Sequence, residues 1–114
     1  MKEEARNKGR LEHIQMATSY LLEADKSGTI DGIQEKSIQY YGLVKLLEII
    51  GEASNMLTDD FKEMHPQTNW RAIIGLRNVL VHGYYHIDLN ELKNVVKNDI
   101  PALHRQITEY LSEF

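Results

Sequence analysis

The chain has 114 residues, a net charge of −4 and no cysteine. This length predicts a single domain over residues 1–114, and the lack of cysteine excludes a disulfide framework and a thiolate metal site. A mildly acidic chain binds nucleic acid poorly through charge alone, because phosphate contacts depend on Lys and Arg. Any activity on RNA therefore requires a local basic site, which two subunits could assemble together.

The N-terminal segment from Met1 to Arg6 is polar, and no apolar run follows it. It therefore lacks the pattern of a secretory signal. No stretch of the sequence approaches the roughly 18 apolar residues that a membrane span requires. We expect a soluble, cytoplasmic protein with no membrane partner.

The first half of the chain shows the periodicity of two amphipathic helices. In the first helix, residues of the buried face recur at intervals of three and four: Leu11, Ile14, Thr18, Leu21 and Leu22. This helix is predicted to end around Gly28, and Asp31 is predicted to cap a second helix over residues 32–57. Gly42 and Gly51 lie inside it, where glycine costs about 1 kcal/mol relative to alanine. They indicate close contact with another backbone, or occur there by chance.

Cap signals divide the next part of the chain. Thr58 begins a short predicted helix that stops before Pro66. Asn69 is then predicted to cap a helix over residues 70–82, with Gly83 as its C-terminal stop.

The last helix is predicted to begin after Asp88, and its apolar residues keep helical phase across Pro101. We expect one helix kinked at the proline, with a break as the alternative. Because no alternating strand pattern competes, the sequence predicts an all-α fold of four to five helices.

The helix over residues 70–82 has an unusual distribution of side chains. Its apolar residues cover well over half of the circumference, so we expect it to lie deep in the fold. Four residues form a narrow polar strip: Arg71, Gly75, Asn78 and His82. The strip either faces solvent or lines a site against another surface, and its glycine favours close approach by a partner helix or a ligand.

Arg77 lies within the apolar arc of this helix, where an unpaired guanidinium would be costly to bury. One interpretation is a structural ion pair with Glu48 or Glu52. The other is a catalytic pair with His82, whose ordinary pKa of about 6.5 suits proton transfer near neutrality. On an ideal helix the two side chains point about 140° apart, an awkward angle for one pocket.

The segment Arg77–Tyr84 reads R-N-V-L-V-H-G-Y and resembles the R-x4-H-x-Y motif of HEPN domains in the HepT-like toxin group. The likeness covers nearly the whole chain from Leu11 onward. It includes further residues in the same order: Gly51-Glu52-Ala53, Pro66, Trp70-Arg71, Ile73-Ile74-Gly75, His86-Ile87-Asp88 and Asp99-Ile100-Pro101. The resemblance implies a HEPN-type up-and-down helical bundle that dimerises through the motif-bearing helix.

The resemblance also implies a function. Arg77 and His82 correspond to the ribonuclease residues of the family, Asn78 to their supporting neighbour, and Arg71 on the same strip is predicted to assist. Two motifs facing each other in a homodimer would form a composite site that cleaves RNA through its 2′-hydroxyl without a metal or a cofactor. Tyr84 resembles the tyrosine that a minimal nucleotidyltransferase antitoxin AMPylates in a type VII-like toxin–antitoxin pair, and Tyr85 is the alternative in register.

Rival interpretations remain for the same residues. The chain could be a non-catalytic subunit that presents substrate or nucleotide in a nucleotidyltransferase complex, although such a scaffold would need neither Arg77 nor His82. The spacing of His82 and His86 occurs in metal sites, but no third ligand is evident nearby, so no metal is predicted. We expect no DNA substrate. The remaining histidines are expected at the surface: His13, His65 and His104.

Overall fold

A computed structural model describes residues 2–83 and 87–114, and within these ranges the protein has six α-helices and no strand. They are α1 (Lys2–Lys26), α2 (Ile38–Met56), α3 (Asp59–Met64), α4 (Trp70–Gly83), α5 (Leu89–Asn98) and α6 (Ile100–Leu111). The all-α helical bundle is confirmed, with six helices because the last predicted helix is divided in two. None of the helices in these ranges has the length and apolar character needed to cross a lipid bilayer.

Three helices begin at the residues whose side chains predicted them. Thr58, Asn69 and Asp88 each accept a hydrogen bond from a backbone amide of the first turn, at 3.2, 3.1 and 2.9 Å respectively. These bonds satisfy amides that a helix start leaves without intrahelical partners. The end predicted for α1 is confirmed as well, because Gly28 has a φ of +83°, which glycine adopts without strain.

The start predicted for α2 is wrong, because Ser37 and not Asp31 caps this helix. The Ser37 hydroxyl accepts from the Tyr40 amide at 3.1 Å, and Lys36 immediately before it has a φ of +63° that no α-helix contains. The Asp31 carboxylate instead pairs with Lys97 of α5 at 3.1 Å. The segment between α1 and α2 thus follows tertiary contacts rather than its local cap signal.

The helix predicted to kink at Pro101 is broken instead. Asp99 ends α5 with its amide bonded to the Val95 carbonyl at 2.9 Å, and α6 begins at Ile100. Pro101 therefore occupies the first turn of α6. Backbone N–H groups in a first turn have no acceptor within the helix, so the missing N–H of proline costs no hydrogen bond there. The alternative of a break is confirmed.

The bundle is built around α1 and α2, which pack against each other. On this pair, α6 packs against α1 and α4 packs against α2, while α5 is held mainly by α6. The innermost side chains come from several helices, which gives one shared core: Leu11, Ile14, Leu21, Leu80, Leu92, Ile107 and Tyr110.

The prediction that α4 lies deep in the fold is wrong for the single chain. Only Trp70 and Leu80 of this helix are buried, while Val79 and Val81 are 47% and 43% exposed. Since α4 packs mainly on α2, its opposite side has no covering helix among the described residues. Val79 is therefore left exposed on the open side of the motif-bearing helix, next to the polar strip.

Two of the three histidines expected at the surface lie in packed surroundings. The His65 ring stacks on Phe61 and lies 4.4 Å from the ring of Tyr110, centroid to centroid. His104 bonds through Nδ1 to the buried Thr18 hydroxyl at 2.8 Å. Only His13 is exposed as expected.

Candidate functional site

The motif-bearing helix approaches α2 most closely at Arg77 and Gly51. A Cβ atom placed on residue 51 would overlap Cβ of Arg77 and lie 2.9 Å from its Cγ and 3.2 Å from its Cα. No side chain other than hydrogen fits in that space. One of the two glycines predicted to mark a close backbone contact is thereby confirmed, whereas a Cβ on Gly42 would meet nothing within 4 Å.

The guanidinium of Arg77 is fixed by two neighbours. Nη2 forms an ion pair with Oε2 of Glu52 at 2.6 Å, and Nη1 donates a hydrogen bond to Oδ1 of Asn78 at 2.9 Å. Nε is buried and has no hydrogen-bond partner among the described residues. The ion pair with Glu52 is confirmed, but the Arg77 side chain remains 24% exposed, so its charge is accessible from one side.

This accessible side faces an open groove of about 500 Å³ between α1, α2 and α4. Basic and titratable side chains line much of it: Arg6, Arg10, His13, Lys45 and Arg77. The acidic side chains on its wall are Glu48 and Glu52. Four Lys and Arg residues against two Glu give this groove a balance of +2 within a chain of net charge −4. An acidic chain would need a local basic site of this kind in order to bind nucleic acid.

The remaining predicted site residues lie elsewhere on α4. Arg71, Asn78 and His82 are exposed together with Gly75, which confirms a polar strip that faces solvent in the single chain. The His82 side chain does not line the groove and forms no hydrogen bond or ion pair with any described residue. The structure thus joins Arg77 to Asn78 by a hydrogen bond, whereas the side chains of Arg71 and His82 form no bond to Arg77.

Tyr84 and Tyr85, the two candidates for modification, lie outside the described residues, as does His86 of the metal alternative. Among the residues that are described, no group of three or more His, Cys, Asp or Glu side chains converges as a metal site would require. Modification at Tyr84, with Tyr85 as the alternative, therefore stays a prediction from the sequence.

The cationic groove residues of α1 and α2, Arg6, Arg10 and Lys45, were not predicted from the sequence, whereas Glu48 and Glu52 were named there as candidate partners of Arg77. Arg6, Arg10 and His13 recur at intervals of four and three and so share one face of α1, which is a readable signal. The pattern alone cannot tell such a face from an ordinary solvated one. Its meaning depends on the packing that sets α1 and α2 beside Arg77.

The comparisons with known proteins identify the chain. A model of the HepT-like family, described as ribonuclease HepT-like, matches residues 10–110. The chain belongs to the HepT-like ribonuclease family. The matched range contains the whole of α2, α4, α5 and the Arg77–Tyr84 motif.

Individual relatives agree with this assignment. A protein of Methanocaldococcus jannaschii, provisionally named as an RNase, is 41% identical over 66% of this chain and 68% of its own length. A protein of Thermococcus cleftensis, named a probable ribonuclease HepT, is 41% identical over 64% of this chain and 66% of its own. One from Caldanaerobacter subterraneus, also provisionally named as an RNase, is 31% identical over 90% of this chain and 92% of its own. No solved structure matches the chain significantly. At the level of the family, these names support ribonuclease activity.

Proposed function

We propose that this protein is a metal-independent endoribonuclease, and that Arg77 and His82 carry the reaction. The observation that supports the proposal best is the setting of Arg77, whose guanidinium is held by Glu52 and Asn78 at the wall of a groove with net positive charge. A fixed cation at the wall of an open groove suits an anion that carries more charge in the transition state than in the ground state.

The chemistry follows from the two side chains. The 2′-oxygen of the RNA attacks the adjacent phosphorus, a new P–O bond forms, and the bond to the 5′-oxygen of the next nucleotide breaks. His82 accepts the 2′-hydroxyl proton in this scheme, and water or a second His82 returns a proton to the leaving oxygen. Arg77 neutralises the charge that grows on the phosphoryl oxygens, and Asn78 keeps its guanidinium in place. The products are a 2′,3′-cyclic phosphate and a 5′-hydroxyl.

The site is proposed to be completed by a second copy of the chain. Arg77 faces the groove while His82 lies outside it, so one subunit does not present both groups to one phosphate. The exposed apolar side chain Val79 of α4, on the side of the helix turned away from α2, supplies a surface that dimerisation would cover. In such a dimer His82 of one subunit serves the Arg77 of its partner, and Arg71 on the same strip adds positive charge.

The protein is further proposed to be the toxin of a type VII-like pair, silenced by a minimal nucleotidyltransferase. The phenolic oxygen of Tyr84 would attack the α-phosphorus of ATP, with pyrophosphate as the leaving group. The added phosphate would set negative charge near the motif and repel RNA. The intact mass after incubation with ATP and a minimal nucleotidyltransferase of this kind should rise by the mass of one adenylyl group. Tyr84→Phe should abolish that rise, whereas a rise that only Tyr85→Phe abolishes would assign the modification to Tyr85.

The decisive experiment is cleavage of RNA in the presence of EDTA. Wild-type protein should release fragments with 2′,3′-cyclic phosphate ends, and the Arg77→Ala/His82→Ala variant should release none. Arg105→Ala is the matched control, because Arg105 is exposed on α6 and lies outside the groove. Equal cleavage by wild type and the double variant would indicate a contaminating nuclease.

The rival function, a non-catalytic subunit of a nucleotidyltransferase complex, predicts no cleavage by any of these proteins. Mass spectrometry must first establish that the wild-type preparation carries no AMP, because the modified protein would also be inactive. Unmodified protein that leaves RNA intact would contradict the nuclease proposal and favour the binding role.

A further inference from the structure

The basic face of α1 is continuous with the surface that carries Arg77. Arg6, Arg10 and His13 follow one another along this helix at intervals of four and three residues, which are steps of about 6 and 4.5 Å along its axis. Lys45 of α2 lines the same groove from the other side. Three cations, Arg6, Arg10 and Lys45, therefore line the same groove as Arg77, together with His13.

These three cations are not neutralised within the described part of the chain. Arg6, Arg10 and Lys45 form no ion pair there. By contrast, Lys62 is paired with Asp59 and Lys97 with two aspartates. The charges of the three cations remain available to a ligand from outside the chain.

Gly9 adds space to the same groove. It lies inside α1, about two turns from the start of the helix, where glycine costs about 1 kcal/mol relative to alanine. A Cβ at this position would meet nothing within 4 Å, so packing inside the chain does not require a glycine. Its place between Arg6 and Arg10 lets a ligand come close to the helix backbone beside both guanidinium groups.

The walls of the groove indicate what kind of ligand fits. Its apolar lining consists of small and aliphatic side chains such as Ile49, Met56 and Val81, and no Phe, Tyr or Trp is among the described residues that form it. Recognition of single bases depends on stacking platforms or on polar groups aimed at base edges. Among the described lining residues the ring of His13 is the one aromatic group, so unpaired charges dominate the groove, and these recognise phosphate charge and spacing.

We propose that this groove binds the phosphate backbone of single-stranded RNA, with Arg6, Arg10 and Lys45 contacting phosphates that flank the one held at Arg77. Successive phosphates of an extended strand are separated by a distance similar to one turn of α1. This inference deepens the proposed function, since it names the residues that deliver RNA to the cleavage site. It also implies little base preference and a strong dependence of binding on salt.

The test measures the binding of a fluorescently labelled 2′-O-methyl RNA, which lacks the attacking hydroxyl and cannot be cleaved. The groove variant is Arg6→Gln/Arg10→Gln, and the control is Lys8→Gln/Arg105→Gln, which removes two exposed cations outside the groove. Both lower the net charge by the same amount. Loss of two phosphate contacts should reduce the slope of log affinity against log salt by about 1.4, so that between about 50 and 200 mM salt the wild type loses about sevenfold more affinity than the groove variant.

The outcomes separate this inference from the proposed nuclease. A reduced slope in the groove variant alone supports the groove, whether or not the wild type cleaves ordinary RNA. Equal effects of both double variants would overturn it, because net charge would then explain the binding. Cleavage of ordinary RNA by the groove variant at the wild-type rate and affinity would reject the groove while leaving the nuclease intact. Failure of the unmodified wild type to bind the probe would also reject it, and would leave an acidic protein segment as the ligand to examine.

Discussion

Arg77 of α4 lies directly over Gly51 of α2, so closely that a methyl group on residue 51 would overlap its Cβ. This contact sets the height of the arginine above α2 and brings its guanidinium within 2.6 Å of Glu52, the next residue of that helix. The position of the main cation in the candidate site thus depends on the absence of one methyl group.

Substitution Gly51→Ala should destabilise the fold and displace Arg77. The added methyl group should lower the free energy of unfolding by about 1–3 kcal/mol through overpacking. The better helix propensity of alanine offsets at most about 1 kcal/mol of this loss. Gly42→Ala is the matched control on the same helix, where a Cβ meets nothing within 4 Å, and it should stabilise the protein by up to about 1 kcal/mol. Urea unfolding measures both, and equal shifts of the midpoint in the two variants would contradict the close contact.

Substitution Glu52→Gln should tighten RNA binding, because the carboxylate competes with phosphate for the guanidinium of Arg77. Little stability should be lost, since the pair is partly exposed and such pairs contribute about 0–1 kcal/mol. Glu48→Gln removes the same charge from the same groove without an ion pair to Arg77. Affinity for the uncleavable RNA should rise more for Glu52→Gln than for Glu48→Gln, and the reverse order would argue against competition at Arg77.

Substitution Val79→Lys should convert the proposed dimer to a monomer, because it introduces a charge where the exposed side of α4 carries an apolar side chain. The control Ile38→Lys alters another exposed apolar residue, 88% accessible at the start of α2, and should leave the dimer intact. Light scattering at micromolar concentration reports the mass of each protein. A monomeric wild type would remove the basis for a composite site.

Stability should fall at alkaline pH, partly through Tyr110. Burial raises the pKa of its phenol. The 2.6 Å hydrogen bond with Thr68 lowers this pKa, but by less than burial raises it. Since the folded-state pKa lies above the unfolded value of about 10, this contribution is complete below pH 10 and is lost as pH rises through the folded-state pKa. Hydrogen bonds to Asp25 and Asp31 raise the pKa of Lys97, which adds a loss in the same direction.

The variant Tyr110→Phe isolates the tyrosine, because Lys97 is unchanged in it. Its free energy of unfolding should be lower at pH 7 by about 0.5–1.5 kcal/mol, the usual worth of the lost hydrogen bond. Above pH 10 it should decline less steeply than that of the wild type. Urea titrations between pH 8 and pH 11 measure this difference, and parallel curves would show that Tyr110 does not ionise on unfolding.

Local chemistry made several elements of the fold predictable from the sequence. The caps at Thr58, Asn69 and Asp88 act through hydrogen bonds within one turn, so neighbouring residues are enough to specify them. The same holds for the glycine end of α1, and the helical periodicity identified the all-α class. The ordered motif from Arg77 to His82 identified the family, which the comparison over residues 10–110 confirmed.

Contacts between distant parts of the chain decided the rest. Asp31 was predicted to cap α2, but its carboxylate forms an ion pair with Lys97, 66 positions later in the chain. The helix is capped by Ser37 instead. The break before Pro101 depends on how α5 and α6 pack, since a kinked and a broken helix share one apolar pattern.

The candidate site divides in the same way. The sequence by itself selected Arg77, Asn78 and His82, and offered Glu52 as one of two partners for the arginine. Only the packing of α1 and α2 against α4 revealed the basic groove and left His82 outside it. The physical reason is that spacing along one helix fixes the direction of each side chain, whereas the surface it faces belongs to residues far away in the chain.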